Sequence, residues 1–500
     1  MEAASARGAV RGRTFFAGAG PAVAVCPVSG RVLGLLFVKA IPRLVVAGLS
    51  GGAGKTLVSL GLCRALAASG LRVHAFKKGP DYIDAAWLGL AAGREATNLD
   101  AFLFPESYIL PLFLEKAADA DIAVIEGNRG LFDGMDAAGS FSTAALARLL
   151  DAPLALCLDV TKMTRTAAAV VAGVAAFEPG LSLAGVILNR TGGERHRSLA
   201  RTCIEQAGWP VLGALPRLPE NPIPERHMGL VSDREHGDVA AVLDRLATFV
   251  REHVDLDGVL AVARSAPPLP DVPEVPPAPP LADGPRPVIG VVRDAALWFY
   301  YPENLDALAR AGADLAFVSL LDDAPWPALD GLYLGGGFPE TQAGRLSANR
   351  TVRERVRALA DQGFPVYAEC GGFMYLCRAL VDGETTFPMA GVLPLTTTLC
   401  PRPQGLGYSL ARVTAPNPYH PVGTLLAGHE FHYSRCLDGD LPAEAFCLTM
   451  ERGVGMVGGR DGLLVGNVFA AYTHIHAAGA PHWAGRFVAT AKRFRAEKRR

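Results

Sequence analysis

From Arg43 onward, short runs of aliphatic and β-branched residues alternate with longer helix-forming stretches. RLVVAGLS is followed by KTLVSLGLCRALAASG and LRVHAF, and later come DIAVIEG, PLALCLDV, LAGVILNR and PVLGALP. This alternation predicts βαβ units and a mostly parallel sheet covered by helices. Between Arg264 and Pro287 the segment RSAPPLPDVPEVPPAPPLADGPRP holds ten prolines, which forbid helix and central strand and leave a semi-rigid spacer. Beyond it PVIGVV, DLAFVSL, GLYLGG and PVYAEC read as buried strands of a second α/β domain. The predicted organisation is an N-terminal extension over 1–40, a first domain over 41–263, the linker over 264–287, a second domain over 288–490 and a basic tail over 491–500.

A chain of 500 residues exceeds what one hydrophobic core usually supports, in agreement with two domains. Half of the residues are hydrophobic and 19% charged, which excludes widespread disorder. The net charge of −1 offers no basic field to attract nucleic acid or an anionic membrane, so a small-molecule substrate is expected. The nine cysteines are scattered, without a CxxC pair or zinc-like spacing, which fits a reducing cytoplasm. No apolar run approaches the ~18 residues of a membrane helix. Arg7, Arg11, Arg13, Arg31 and Lys39 face one acid, Glu2, in the first 40 residues, where VLGLLFV imitates a targeting peptide. No A-x-A-like site follows that run, so a poorly ordered extension is the expectation.

Residues 48–56 read GLSGGAGKT between a predicted strand and a predicted helix. The N–H groups exposed by Gly51, Gly52 and Gly54, with the helix N-terminus, can wrap a polyphosphate; Lys55 can neutralise its outer charges and Thr56 can hold Mg²⁺. The spacing is a longer G-x5-G-K-T, since Leu49 stands where the first glycine of the common motif falls. Glu126, ending DIAVIEG, supplies a second acidic partner for magnesium, although a carboxylate there is also an ordinary strand terminus. KKGPDYID, from Lys77 to Asp84, concentrates two lysines and two aspartates after the next strand, suitable for gripping a carboxylate-rich substrate and a metal-bound phosphate.

In the second domain FPVYAECGGFMYL sets Cys370 between a strand and a helix. That geometry projects a side chain into solvent at the sheet's C-terminal edge and lets the helix N-terminus stabilise a thiolate. Gly371 and Gly372 allow the sharp turn and leave N–H groups for an oxyanion, and Gly335, Gly336 and Gly337 after the preceding strand form a second wall. A thiolate needs a base, and NVFAAYTHIH offers His474 and His476, of which one is expected to pair with Cys370. Cys377, two turns further along the predicted helix, reads as core, as do His429 and His432 of GHEFHYS when taken singly.

GLSGGAGKT, FKKGPDYID, NLD at Asn98–Asp100, VIEGNRGLFDG, GVILNR, ERHMGL, RDAALWFYYPENL, YLGGGFPE, AECGGFMYL, GHEFHYS and AYTHIH in combination resemble the cobyrinic acid a,c-diamide synthase family. Its members have a dethiobiotin-synthetase-like ATP domain followed by a cobyric-type class I glutamine amidotransferase domain. The resemblance runs from Arg43 to Phe487. It implies a carbon–nitrogen ligase that uses ATP, Mg²⁺ and L-glutamine to amidate the a and c carboxylates of a tetrapyrrole, with a homodimer left open. By position Cys370 resembles the nucleophile and His474 the residue that activates it. Thr56 and Glu126 resemble Mg²⁺-associated positions and Asn189 the adenine-recognising asparagine. Lys78 belongs to the substrate-gripping segment, in which Asp81, Tyr82 and Ile83 resemble the residues that handle the tetrapyrrole and its activated intermediate.

Two departures matter. His476 stands where most class I glutaminases carry Glu, leaving the third orienting group open. KKGPDYIDAAWL also differs from the commoner KVGPDYIDP, and relatives acting on sirohydrochlorin, its nickel complex or sirohaem share the architecture. A rival reading is a P-loop regulatory ATPase whose second domain only binds a ligand.

Overall fold

Seven parallel strands form the first sheet: β1 (Arg43–Gly48), β2 (Val73–Lys78), β3 (Thr97–Leu99), β4 (Ile122–Glu126), β5 (Leu154–Asp159), β6 (Leu183–Thr191) and β7 (Val211–Pro216). Their order is β3-β2-β4-β1-β5-β6-β7, so consecutive strands are joined through helices that cover both faces. That is why β1 and β4 are buried along their whole length. In such sheets ligands bind outside the carboxyl ends of the strands, and Gly48, Lys78 and Glu126 all stand at those ends.

The computed structural model describes residues 40–219, 223, 225–226, 229–230, 238–270, 285–437 and 441–498. The basic N-terminal extension, most of the proline linker and His227–Met228 of ERHMGL lie outside these residues. Among the described residues no helix is long and apolar enough to cross a membrane.

A second sheet holds β8 (Val288–Val292), β9 (Asp314–Val318), β10 (Gly331–Leu334), β11 (Val366–Glu369), β12 (Gly405–Val413), β13 (Leu425–His432), β14 (Phe446–Arg452), β15 (Arg460–Val465), β16 (Val468–Ala471) and β17 (His474–Ile475). Its order is β9-β8-β10-β11-β16-β15-β14-β12-β13-β17. The first five are parallel and the rest antiparallel. The carboxyl ends of the neighbours β10, β11 and β16 therefore lie side by side, and the expected site residues follow directly from each.

The expected basic tail is corrected: Trp483–Lys498 is one helix, with Ala491 and Phe494 buried and Arg495 paired with Asp330 at 3.3 Å. A small apolar residue and an aromatic on one face of the last turns are enough to continue the helix against the sheet. Residues 38–500 form one compact unit. Trp298, Phe299, Tyr301 and Phe338 of the second domain join the buried cluster of the first, so the boundary between the domains is itself a hydrophobic core.

Candidate active site between the two domains

The chain leaves β1 at Gly48 and enters α1 (Lys55–Ala68) through the glycine-rich loop. Gly51 and Gly52 are exposed at its tip. Gly54 caps the helix with φ 99°, and a Cβ there would lie 2.1 Å from Asn189 Nδ2, so glycine is required twice over. Lys55 folds back to donate to the Ser50 carbonyl at 2.9 Å, a bond that a phosphate oxygen would replace, and burial lowers its pKa. Thr56 Oγ1 donates to Glu126 Oε1 at 2.7 Å, and Lys77 Nζ donates to the same oxygen at 2.9 Å and also to Asp84. Burial alone would lower the Lys77 pKa, but Asp84, Glu126 and Asp81 outweigh it and hold the ammonium charged.

Glu126 is fully buried and its Oε2 has no hydrogen-bond partner. An orphaned carboxylate oxygen beside a threonine hydroxyl, at the foot of a phosphate loop, fits a hard divalent cation. Asn189, near the end of β6, reaches back to the phosphate loop. Its amide nitrogen donates to Ala53 O at 2.8 Å and its oxygen accepts from Arg190 N at 2.9 Å, so here it braces the phosphate loop.

Cys370 follows β11 directly and adopts φ 44°, ψ −99°, backbone that costs a non-glycine residue about 1–3 kcal/mol and persists only where the surroundings impose it. Its N–H donates to Ala471 O at 2.7 Å across the ladder to β16, which fixes the elbow. The residue is 4% exposed and belongs to the second domain's buried apolar cluster, so the expected projection into solvent is corrected. Burial pushes the thiol well up, with the charges of Glu340, Glu369 and Glu430 adding and only the Gly371 backbone opposing. The six-residue helix Gly371–Leu376 does not offset that burial, so a thiolate needs a proton acceptor at hand. Cys377 ends this helix, shorter than expected, as a buried thiol bonded to Phe373 O at 3.3 Å.

His474 lies beyond β16 rather than on it, in the short β17 that pairs with β13 opposite His429. Gly336 and Gly337 form a two-residue ribbon with Leu297–Phe299. A Cβ on Gly336 would meet His474 Cε1 at 2.3 Å and Nε2 at 3.1 Å, while one on Gly371 would stand 3.0 Å from Gly337 N. The imidazole, the glycine wall and the cysteine elbow are thus brought together, whereas His476 turns away, its Nε2 3.5 Å from Glu303 Oε2. His429 stacks on His474 with centroids 4.8 Å apart and is held neutral, its pKa pushed far down by burial and by the His474 charge.

The first domain reaches this imidazole directly. Asp81 caps α2 (Tyr82–Ala92) by accepting from Asp84 N at 2.8 Å, and this cap aims Tyr82 across the boundary. Tyr82 stacks on Phe299 at 4.9 Å and approaches His429 and His474 at 5.6 and 5.5 Å. Tyr301 donates to Pro80 O at 3.0 Å and meets His429 Nε2 at 2.9 Å. A cavity of about 350 Å³ opens here. Lys78, Asp81, Tyr82 and Ile83 all line it, as does His474 from the other side.

Sequence reasoning did not single out three other lining residues, Arg129, Tyr408 and Arg452. Arg129 sits within VIEGNRGLFDG and could have been found there; Tyr408 and Arg452 are brought in by strand register, for which no local signal exists. Lys78 Nζ donates to Tyr408 OH at 3.2 Å, which donates to Asp100 at 2.5 Å, tying the domains together. Burial pushes Asp81 up to about 7, Asp84 adding to the effect and Lys77 opposing it.

Residues 44–231 match the CobQ/CobB/MinD/ParA nucleotide binding domain family and residues 288–482 the CobB/CobQ-like glutamine amidotransferase domain family. With a nucleotide binding domain and a glutamine amidotransferase domain in one chain, and relatives that match it along both, the chain is a glutamine-hydrolysing carbon–nitrogen ligase. It is 44% identical over 89% of its length to a cobyrinate a,c-diamide synthase of Magnetococcus marinus, covering 96% of that protein, and 43% identical over 90% to one of Archaeoglobus fulgidus, covering 97%. A hydrogenobyrinate a,c-diamide synthase of Mesorhizobium japonicum is 39% identical over 86% of the chain, with 98% of that protein covered. The chain belongs to the cobyrinate a,c-diamide synthase family.

Proposed function

We propose that this protein amidates the a and c carboxylates of cobyrinic acid, using ATP and L-glutamine. The observation that carries the reading is a cavity lined both by Lys78, Asp81, Tyr82 and Ile83 of the ligase domain and by His474 of the glutaminase domain. The names of the relatives supply the substrate, and most of those named above act on cobyrinate. They favour neither the sirohydrochlorin-type substrates nor a regulatory ATPase.

In this reading Cys370 Sγ gives its proton to His474 and attacks the side-chain amide carbon of glutamine, with the backbone of Gly336, Gly337 and Gly371 facing the oxyanion. The proton passes to the leaving nitrogen, ammonia departs, and water cleaves the thioester to glutamate. In the first domain Gly51, Gly52, Gly54 and Lys55 hold the ATP phosphates, and the γ-phosphoryl passes to a carboxylate oxygen of the substrate. Ammonia then displaces phosphate from the acyl phosphate to leave a primary amide. Thr56 and Glu126 would hold Mg²⁺, which when bound neutralises phosphate charge. Lys78, Arg129 and Arg452 supply three cations to the substrate's carboxylates.

The test is mass analysis of cobyrinic acid, hydrogenobyrinic acid and sirohydrochlorin incubated with the protein, ATP, Mg²⁺ and glutamine. Replacement of OH by NH₂ on the cobyrinic acid carboxylates supports the proposal. Amidation of sirohydrochlorin in preference to cobyrinic acid refutes the substrate, and ATP turnover without any amide refutes the chemistry.

A further inference from the structure

We infer that Glu369, the residue before the cysteine, is the positioning residue that orients His474 and faces its ring during glutamine hydrolysis. Its Oε2 lies 3.6 Å from His474 Nδ1, with both side chains buried to about 1% exposure. Nδ1 has no hydrogen-bond partner, and position 476, two residues further on, carries a histidine whose ring is directed at Glu303. The other titratable groups shown beside the His474 ring are His429 and His432 of β13 and Tyr82 of α2. None of them is a carboxylate. Glu369 is therefore the one anion shown paired with this imidazole among the described residues.

The strand register explains how it gets there. Glu369 pairs with Ala471 across β11 and β16, and the chain turns back three residues later so that His474 lies over the same strand end. The carboxylate is then fixed by donors of its own. Ile475 N donates to Oε1 at 3.3 Å and Tyr333 OH to Oε2 at 3.2 Å. Asn304 donates to both Tyr333 OH and Ile475 O, at 3.3 and 2.9 Å, and accepts from Ala477 N at 2.7 Å, clamping β17 to the same carboxylate. A buried carboxylate held by neutral donors stays available to a cation, and the cation it meets is the imidazolium formed when His474 takes the Cys370 proton.

The 3.6 Å separation is longer than a charge-assisted hydrogen bond, and such contacts commonly tighten when substrate binds. The chemistry is unchanged: the proton moves from Sγ to the imidazole and on to the departing ammonia, and Glu369 keeps its charge throughout.

The inference rests on Cys370 and His474 being the glutaminase pair, which Cys370→Ala tests separately by losing glutamine use altogether. With the full chain, ATP, Mg²⁺ and substrate present, Glu369→Gln is expected to lower kcat for glutamine by about 10²-fold, with KM changed less than about threefold. Synthesis driven by ammonium salt is expected to be retained. Removing an anion beside the ring disfavours the imidazolium, so the acidic limb of the kcat/KM pH profile should differ in position from that of the wild type. A carboxylate that merely braces β17 would not move that limb. An unshifted limb with wild-type kcat, or an equal loss of ammonium-driven synthesis, would overturn the inference. Should the Gln variant fail to fold, Glu369→Asp keeps the charge at a longer reach and should show an intermediate loss of kcat; wild-type kcat in that variant also refutes the role.

Discussion

Gly336→Ala is the smallest change that tests whether the glycine wall and the imidazole share one site. The new methyl would stand 2.3 Å from His474 Cε1, about 1 Å inside the normal ~3.5 Å contact between carbon atoms. The ring cannot yield cheaply. Its far face is stacked on His429, Tyr82 packs at 5.5 Å, and β17 is clamped through Ile475 to Glu369 and Asn304. Overpacking of this kind costs about 1–3 kcal/mol, so the protein should fold with a lowered Tm. A displacement of about 1 Å in a catalytic group is worth about 10²-fold in rate. Glutamine-dependent amidation is therefore expected to fall ~10²-fold, while amidation with ammonium salt, ATP and Mg²⁺ falls less than about threefold. Initial rates measured with each nitrogen source, on the same preparation, read out both quantities. Glutamine use within threefold of wild type would show that the ring accommodates the methyl and that the wall is not part of the glutaminase.

Cys370→Ala is expected to abolish glutamine-dependent synthesis and to keep the ammonium-driven reaction, whereas Cys377→Ala keeps both; an amidation assay with each nitrogen source distinguishes them. Lys55→Ala should lower synthesis from either source by ~10²-fold, the scale of losing one electrostatic stabiliser, and a full rate from ammonium would remove the phosphate-loop assignment. Asp81→Asn keeps a helix cap but removes a carboxylate whose folded pKa is pushed up to about 7 from an ordinary value near 3.8. A raised carboxyl pKa means that the folded state holds its proton longer, so wild-type stability falls as pH rises from ~4 through 7. The Asn variant should therefore have the higher Tm at pH 8, by no more than ~4 kcal/mol in stability, and lose that advantage by about pH 4; a constant Tm difference across this range would refute the shift.

The strands were legible because buried parallel strands are apolar throughout, and RLVVAG, IAVIE, LALCLD and VIGVV leave no other reading. The phosphate loop and the cysteine elbow were legible for a related reason: both are local turns in which glycines and one reactive residue must be neighbours in sequence. Long-range register is what a single sequence hides. Nothing adjacent to His474 indicates that it will stack on His429, or that Glu369 rather than residue 476 will lie beside its Nδ1. Cys370 was expected to be exposed because such elbows project outward, but here it is buried in the second domain's own apolar cluster with Leu297 and Phe373, packing between distant segments that no local periodicity reveals. Long-range packing likewise brings Asn189 against the phosphate loop, where its amide nitrogen donates to Ala53 O at 2.8 Å, a contact between residues far apart in sequence.

The boundary between the domains is a packed interior, and close-packed interiors transmit displacement instead of absorbing it. Tyr82 is the first residue of α2, positioned by the Asp81 cap, and its ring lies against Phe299, Tyr301, His429 and His474. The backbone carbonyl of Pro80, just before the cap, is held by Tyr301, whose hydroxyl also meets His429. The segment from Pro80 to Ile83 therefore cannot shift toward or away from the cavity without moving the stack that supports the imidazole. A polar linker between independent domains would let the two chemistries run at their own rates. Here the orientation of His474, the proposed proton acceptor for a buried and reluctant Cys370 thiol, is set partly by residues of the ligase domain that line the same cavity.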